Sequence, residues 1–379
     1  DFLHRTGVVN DETLDFLRDY RFTGTVRGYA EGECYFAGSP LLTVEGTFAE
    51  ACILETLALS IYNYDCAVAS AASRMTIAAH GRPCVDFGAR RAHEQAAVAA
   101  ARASVVGGFV GTSNLEAGLL YGIPTVGTSA HSFTLLHDSE EDAFAAQVAS
   151  LGPSTTILVD TYDIATGVER AVKAARAAGG ELGAVRLDSG DLVAEAFKVR
   201  AQLDTLGATS TKITVTNDLD EHAIAALGAA PVDSYGVGTK LVTGSGRPTA
   251  ALVYKLVERE GADGTMEEVA KFSSGGKSTV GGHKWAGRRL TSEGTAAEEL
   301  VVSSSSQDQG LAALSEAGAR PLQVLLVDEG RIIEEHRGKE ALSAAAERHR
   351  AARAELPYDA WRLSDGESAL PTRHVDLDG

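Results

Sequence analysis

The chain has 379 residues, 44% of them hydrophobic, enough to bury one large core or two medium ones. Its 34 Lys and Arg stand against 52 Asp and Glu, a formal net charge of −18, which argues against nucleic acid and anionic membrane as partners because both need a basic face. No apolar run reaches about 18 residues and no signal-peptide pattern is present, so a cytoplasmic protein is expected; Cys34, Cys52, Cys66 and Cys84 form no CxxC and suit reduced thiols.

The first residues already follow a helical pattern (Phe2, Leu3, then Leu14, Phe16, Leu17) with no leading methionine, which suggests that earlier residues exist. Val26–Tyr29 and Leu41–Val44 read as short strands about a turn holding Gly38 and Pro40. Thr47 and Glu50 have the spacing of a capping box. The Ala-rich segment that follows, Phe48–Ala79, is too apolar for a solvent-facing helix and should pack in a core or interface.

From Pro83 the rhythm changes. Cys84–Phe87, Gly108–Val110, Thr125–Val126, Thr156–Val159, Ala184–Leu187, Ile213–Val215 and Val232–Tyr235 are short apolar runs, each ending in small or polar residues. Most precede an Ala/Leu-rich helical stretch such as Glu94–Ala103 or Leu192–Leu206. Strands alternating with helices imply parallel βαβ units, and seven of them favour barrel-like closure with a site at the strands' C-terminal ends. After Pro248 the pattern turns antiparallel, with strands expected at Leu252–Val257, Glu268–Phe272, Leu300–Val302 and Gln323–Val327. Turns at Ser273–Gly276 and Ser303–Ser306 separate them, and a polar helix follows at Lys339–Arg353. The domain plan is therefore residues 1–80 (part of a small domain plus interface helices), 81–247 (a catalytic α/β barrel) and 248–379 (the return to the small domain).

The strand ends carry the candidate chemistry. In YGIPTVGTSAHSFTL the run Ile123–Val126 reads as a buried strand that ends in Gly127, Thr128, Ser129 and Ala130 and presents His131 and Ser132; a structural histidine at a strand–helix junction is the competing reading. Other ends offer Arg90 and Arg91 (DFGARRAH), Thr112, Ser113 and Asn114 (GTSN), Asp160 and Asp163 (VDTYD), and Arg186, Asp188, Ser189, Gly190 and Asp191 (RLDSGD). Asn217 and Asp218 (VTND) and Gly236, Gly238 and Thr239 (YGVGT) complete the set. Arginine forks suit carboxylate or phosphate in an otherwise acidic protein. Gly236 and Gly238 suit either close backbone approach to a phosphate or a tight turn. Asp188 and Asp191 suit ribose hydroxyls or Mg²⁺, and Asp191 equally suits a helix N-cap.

Several motifs fail on inspection. GGKST at Gly275–Thr279 lacks the leading glycine of a Walker loop, since position 271 is Lys. YGVGTKL lacks the third glycine of a dinucleotide fingerprint. No GxSxG, HExxH or paired CxxC occurs, which removes serine-hydrolase and zinc readings.

Taken in order, GSPLLTVEGTFAEACILETLALSIYNYD, ASRM, FGARRAH, GTSNLEAGLLYGIPTVGTSAHSF, VDTYD, VRLDSGDL, PVDSYGVGTKLVTG and VYKLVE resemble the nicotinate phosphoribosyltransferase family of actinobacterial type over nearly the whole chain. The resemblance implies an irregular (β/α) barrel of about seven parallel strands, of the type II phosphoribosyltransferase kind, with a smaller α+β domain built from both chain ends. It implies transfer of phosphoribose from phosphoribosyl pyrophosphate to nicotinate in NAD salvage, with ATP as co-substrate and Mg²⁺ as cofactor. On that resemblance His131 is the phosphohistidine and Asp160 orients it. Arg186, Asp188, Ser189, Gly190 and Asp191 hold pyrophosphate and ribose, and Asn217, Gly236, Gly238 and Thr239 hold the 5-phosphate. Arg90 or Arg91, with Thr112, Ser113 and Ser132, faces the nicotinate ring and its carboxylate. A homodimer with the site near the interface is implied as well.

The chain departs from the family in two places. The family's TDxYE segment, whose tyrosine packs over the pyridine ring, has no counterpart, so the chain reads as lacking an N-terminal segment. The family's PGxK loop reads GGHK at Gly281–Lys284. Among rival readings, relatives that use nicotinamide carry Asp where Ser113 stands, and an Asp there would repel a carboxylate. A Schiff-base barrel aldolase would need Lys240 or Lys212. A truncated, inactive relative would have no use for His131, Arg186 and Asp188 together.

Overall fold

Short runs of Val, Ile and Leu with no polar alternation bury both faces, and here they do so as a parallel sheet. The structure, a computed structural model, describes residues 2–271 and 279–377. The Ser273–Gly276 turn, Phe272 and all of the GGKST segment except Thr279 lie outside the described residues. Six strands pair in parallel in the order Gly111–Thr112, Cys84–Asp86, Ser234–Val237, Lys212–Val215, Ala184–Leu187, Thr156–Leu158. Ile157, Val185, Leu187, Ile213, Val215, Tyr235 and Val237 are all fully buried in its core. The sheet does not close: among the described residues Thr156–Leu158 pairs with Ala184–Leu187 alone.

The seventh expected strand shrinks to a single parallel bridge between Thr125 and Thr112. Thr112 N donates to the Pro124 carbonyl at 3.0 Å and Val126 N to the Thr112 carbonyl at 2.9 Å, but Pro124 has no N–H of its own and Val126 is 42% exposed. The helices between strands follow their sequence signals. Ile164–Ala177 buries Val168, Ala171, Val172 and Ala175, the i, i+3, i+4, i+7 stripe of an amphipathic helix.

The chain divides into two compact units. The one that holds the parallel sheet comprises Ser60–Leu252 and Gly338–Glu367. Its first boundary lies within the helix Phe48–Ala78 rather than at residue 80, because Val68, Ala71, Ala72, Met75 and Ala78 enter the core of this unit. The helix Gly338–Ala354 also belongs here and not to the return drawn at 248–379. Its Leu342 and Ala345 cluster with Ala101, Val106, Ala117 and Ile123.

The other unit takes Asp1–Leu59, Val253–Arg337 and Ser368–Gly379, so both chain ends build it. One sheet is antiparallel, in the order Arg331–Ile332, Gln323–Asp328, Thr25–Tyr29, Leu42–Glu45. A second runs Ala319–Pro321, Lys284–Leu290, Ala296–Ser303, Thr372–Asp376, the last pair parallel. A buried Arg288–Glu299 ion pair at 2.6 Å lies within it. The strand expected at Leu252–Val257 does not form; the chain stays irregular until the ribbon of Glu258–Glu260 and Met266–Glu268. Thr47 and Glu50 do make the capping box: Glu50 accepts from Thr47 N at 3.0 Å and from Thr47 Oγ1 at 2.7 Å, while Glu50 N donates to Thr47 Oγ1 at 3.4 Å.

A candidate active site at the strand ends

Two adjoining depressions lie at the C-terminal ends of the parallel strands, within a single unit. One is lined by Phe87, Arg90, Arg91, Arg186, Asp188, Thr216, Asn217, Asp218, Gly236, Gly238 and Thr239. The other is lined by Arg90, Ala130, His131, Ser132, Leu158, Arg186 and Asp188. Arg90, Arg186 and Asp188 therefore face both, so a ligand bound across the junction meets two guanidinium groups and one carboxylate.

Arg186, from the strand Ala184–Leu187, is held by one hydrogen bond from each of its three nitrogens. Its Nε donates to Thr216 Oγ1 at 2.9 Å, Nη1 to Thr128 Oγ1 at 2.8 Å, and Nη2 to Asp188 Oδ1 at 3.0 Å. Its guanidinium lies 5.3 Å from the centroid of the Phe87 ring. The Thr216 hydroxyl also donates to Asp188 Oδ1, so it bridges the cation and the carboxylate. A fork fixed this way presents its free edge to a ligand without losing rotamer entropy on binding.

His131 opens the short helix His131–Leu136, and its side chain is 42% exposed. Its Nδ1 lies 3.1 Å from Thr161 Oγ1, within hydrogen-bond reach. Nε2 faces two carboxylates, Asp160 Oδ1 at 3.9 Å and Asp188 Oδ2 at 3.8 Å, both beyond a hydrogen bond. The ring's hydrogen bond is made with Thr161, while Asp160 faces Nε2 from 3.9 Å. Asp160 instead ties the next strand's turn in place: its Oδ2 accepts from Asp188 N at 2.9 Å and from Ser189 Oγ at 2.6 Å. Its Oδ1 is buried and has no hydrogen-bond partner.

The remaining candidates divide by environment. Arg90 and Arg91 are exposed on the depressions they line, and Ser132 lies beside His131. Asn217 adopts φ +95°, and with Gly238 and Thr239 it forms the far wall of the first depression. A Cβ on Gly238 would meet nothing closer than the Phe87 carbonyl at 3.5 Å, so that face is open. At Gly236 a Cβ would meet Thr216 Cγ2 at 2.6 Å and the Phe87 ring at 2.7 Å, so this glycine is required by packing.

Other candidates line neither depression. Thr112 is fully buried and donates to Asp86 Oδ2 at 2.7 Å; Ser113 is half-buried, with its amide on the Asp86 carbonyl at 2.7 Å. Gly190 turns the chain at φ +81°. Asp191 is an N-cap, accepting from Ala194 N at 3.1 Å, as Asp163 does from Thr166 N at 2.9 Å and Asn114 from Ala117 N at 3.0 Å. Sequence reasoning missed Asp86, Phe87, Thr128, Thr161 and Thr216, which hold the candidate groups in place. For Phe87 and Thr216 the signal available was position, since they end or directly follow an apolar run; Thr128 and Thr161 lie one residue further on.

Comparison with known proteins points in one direction. A family model for the nicotinate phosphoribosyltransferase N-terminal domain matches residues 1–63, and a model for the nicotinate phosphoribosyltransferase family matches residues 83–274. Nicotinate phosphoribosyltransferase PncB1 of Mycobacterium tuberculosis is 51% identical over 371 residues, covering 96% of this chain and 79% of that protein. A crystal structure of human nicotinic acid phosphoribosyltransferase shares the fold, with a TM-score of 0.77 at 22% identity over 100% of this chain and 85% of that one. A crystal structure of nicotinate-nucleotide pyrophosphorylase from Pyrococcus furiosus gives 0.73 at 25% identity, covering 91% and 85%.

Proposed function

The chain belongs to the nicotinate phosphoribosyltransferase family, and on that premise we propose that its two depressions bind phosphoribosyl pyrophosphate and nicotinate, with ATP turnover coupled through a phosphohistidine at His131. The enzyme makes nicotinate mononucleotide and pyrophosphate, a step of NAD salvage. The observation that carries the site assignment is the shared wall: Arg90, Arg186 and Asp188 border both depressions, one ending at the glycine turn and the other at His131.

In this reading the 5-phosphate lies on the Asn217, Gly236, Gly238 and Thr239 side, where backbone groups can approach it. The pyrophosphate lies across Arg186, and the ribose hydroxyls lie near Asp188. Bond breaking between C1 of the ribose and the pyrophosphate oxygen leaves an oxocarbenium-like carbon, and the lone pair of the pyridine nitrogen forms the new bond. Pyrophosphate departs with the electron pair. Such a reaction needs anchored charges and a held nucleophile more than a strong base, and a fixed Arg186 supplies charge to the leaving group without reorganising. Arg90, which faces both depressions, is the better placed of the two arginines to meet the nicotinate carboxylate, with Ser132 beside it.

With Nδ1 protonated and donating to the Thr161 hydroxyl, Nε2 of His131 keeps its lone pair for the γ-phosphoryl group of ATP, and ADP leaves. The Asp160 and Asp188 carboxylates on either side of Nε2 crowd the phosphorylated ring with like charge and favour its later discharge. Magnesium fits the same place: Asp160 Oδ1, buried without a hydrogen-bond partner, and Asp188 Oδ2 are two carboxylate oxygens that substrate phosphates would complement. Bound there, the ion would screen phosphate charge.

Ile53, Leu57 and Ile61 recur every four residues on one exposed helix face, which supports the homodimer. No helix among the described residues is long and apolar enough to cross a membrane, in keeping with a cytoplasmic enzyme. The test is His131→Ala. Acid-labile phosphate incorporated from γ-labelled ATP should vanish while slow transfer from phosphoribosyl pyrophosphate persists. Equal labelling of the variant and the parent enzyme would overturn the assignment.

A further inference from the structure

The stretch that leads into His131 is held by side chains. Among the described residues Gly127, Thr128 and Ser129 make no backbone-to-backbone hydrogen bond. Thr128 Oγ1 accepts from Arg186 Nη1 at 2.8 Å and donates to the Ser129 carbonyl at 3.1 Å. Ser129 Oγ donates to Gln147 Oε1 at 2.6 Å. Gln147 lies on the helix Glu140–Leu151 and is 3% exposed. Its Nε2 donates to the Thr156 carbonyl at 2.8 Å and to Thr155 Oγ1 at 3.1 Å. A carbonyl can only accept, so the amide nitrogen must face Thr156 and the amide oxygen must face Ser129. The group at 129 is therefore needed as a donor, and both N–H bonds of the amide already have acceptors.

This bridge stands where the sheet is open. Among the described residues Thr156–Leu158 pairs along one edge alone, and at the far end of the sheet Thr125 reaches only Thr112. The segment from Thr125 to His131 crosses from one end of the sheet to the other. Two side-chain links receive it there. Ser129 is tied through Gln147 to the start of Thr156–Leu158, and His131 Nδ1 lies 3.1 Å from Thr161 Oγ1, just past the end of that strand. A seventh strand would close this gap with backbone bonds, and a buried amide does so instead. Leucine would fill the same space at 147 without the cost of burying an amide. What the amide adds is a fixed spacing between the segment that presents His131 and the strand that leads to Thr161 and Asp160.

We propose that Gln147 is a positioning residue for phosphorylation of His131. Through Ser129 it fixes where the helix His131–Leu136 begins, and so where Nε2 stands when ATP delivers its γ-phosphoryl group. The proposal rests on the reading of His131 as the phosphorylated group. Its effect is selective, because Arg186 keeps its bonds to Thr216 and Asp188 when the Ser129 link is cut.

The test compares phosphate uptake by the full chain from γ-labelled ATP with transfer from phosphoribosyl pyrophosphate to nicotinate in the absence of ATP. Ser129→Ala deletes the donor at a half-buried position, Gln147→Leu removes the amide at similar volume, and Ser129→Thr keeps the hydroxyl. Misplacing a reacting group by about 1 Å can cost on the order of a hundredfold, so Ser129→Ala and Gln147→Leu should take up acid-labile phosphate roughly ten- to a hundredfold more slowly. Ser129→Thr should stay within about threefold of the parent, and ATP-independent kcat and KM for phosphoribosyl pyrophosphate within about twofold in all three. The double variant should be no slower than the slower single one, since both remove the same link. Should Gln147→Leu fail to fold, the two Ser129 variants decide. Labelling by Ser129→Ala at the parent rate, an equal fall in ATP-independent transfer, or a Ser129→Thr no faster than Ser129→Ala overturns the proposal. His131→Ala measured alongside separates the two levels. If it still takes up label, the phosphohistidine reading falls and the proposal with it. If it does not, while Ser129→Ala and Gln147→Leu label at the parent rate, the positioning role alone falls.

Discussion

Replacing Thr216 by Val tests how much of the site's strength lies in the hydroxyl that bridges Arg186 and Asp188. Thr216 is 2% exposed, and Val fills nearly the same space, so the change removes chemistry and little volume. Two hydrogen bonds go: the one accepted from Arg186 Nε at 2.9 Å and the one donated to Asp188. The Asp188 side chain is 27% exposed, so water replaces most of what it loses. The Arg186 side chain is 14% exposed, and its Nε is left facing a methyl group. A hydrogen bond to a charged group is worth about 1.5–3 kcal/mol, and the surviving Arg186–Asp188 contact keeps the outcome toward the lower end. That corresponds to roughly ten- to a hundredfold in kcat/KM for phosphoribosyl pyrophosphate. Pyrophosphate release measured with that substrate varied should show the fall, with a smaller change when nicotinate is varied. A folded Thr216→Val enzyme whose kcat/KM stays within twofold would refute the idea that Arg186 works only when held.

Ser113→Asp should shift substrate preference away from nicotinate. Two like charges about 4 Å apart at an effective dielectric of 20 cost about 4 kcal/mol, and a quarter of that is nearly tenfold; a ratio of kcat/KM for nicotinate over nicotinamide within twofold of the parent value would place Ser113 away from the ring substituent. Glu50 offers a pH test in the other unit. The Thr47 hydroxyl first, then the Thr23 and Thr47 amides, hold its carboxyl down at about 2 instead of about 4.5. A depressed folded value contributes stability that is complete above about 4.5 and is lost as pH falls toward 2. The gap in Tm between the parent and Glu50→Gln should therefore be widest near neutrality and close over that window, and a gap independent of pH would contradict it.

Much of the site was legible because its reactive groups follow apolar runs. His131, Arg186, Asp188 and Gly238 stand where a strand ends, and that position alone marks them. What could not be read is which neighbour each one meets. Asp160 directly follows such a run, yet its partners Asp188 and Ser189 come from the adjacent strand, whose place in the sheet no local pattern reveals. Thr128, Thr161 and Thr216 look like ordinary β-formers until the fold sets each beside a charged or imidazole group. Asp163, Asp191 and Asn114 obey a rule three residues long, the N-cap, and serve local structure. Leu252–Val257 shows the limit of apolar patterning: Asn63 Oδ1 accepts from Leu252 N at 2.7 Å and the run stays irregular. The helix Gly338–Ala354 looked polar because its buried face consists mainly of alanine, Ala341, Ala345 and Ala352 with Leu342.

The strand order has a consequence for biosynthesis. Cys84–Asp86 lies between Gly111–Thr112, made soon after it, and Ser234–Val237, made about 150 residues later. At about 5–20 residues per second a ribosome needs on the order of ten to thirty seconds to cover that distance. Throughout that interval one edge of Cys84–Asp86 has no partner, and the turn bearing Phe87, Arg90 and Arg91 has no opposite wall. An apolar edge left open that long is a template for pairing with the wrong chain. The sheet order thus places the burden on shielding the nascent chain, and that demand is set by synthesis rate more than by the stability of the finished enzyme.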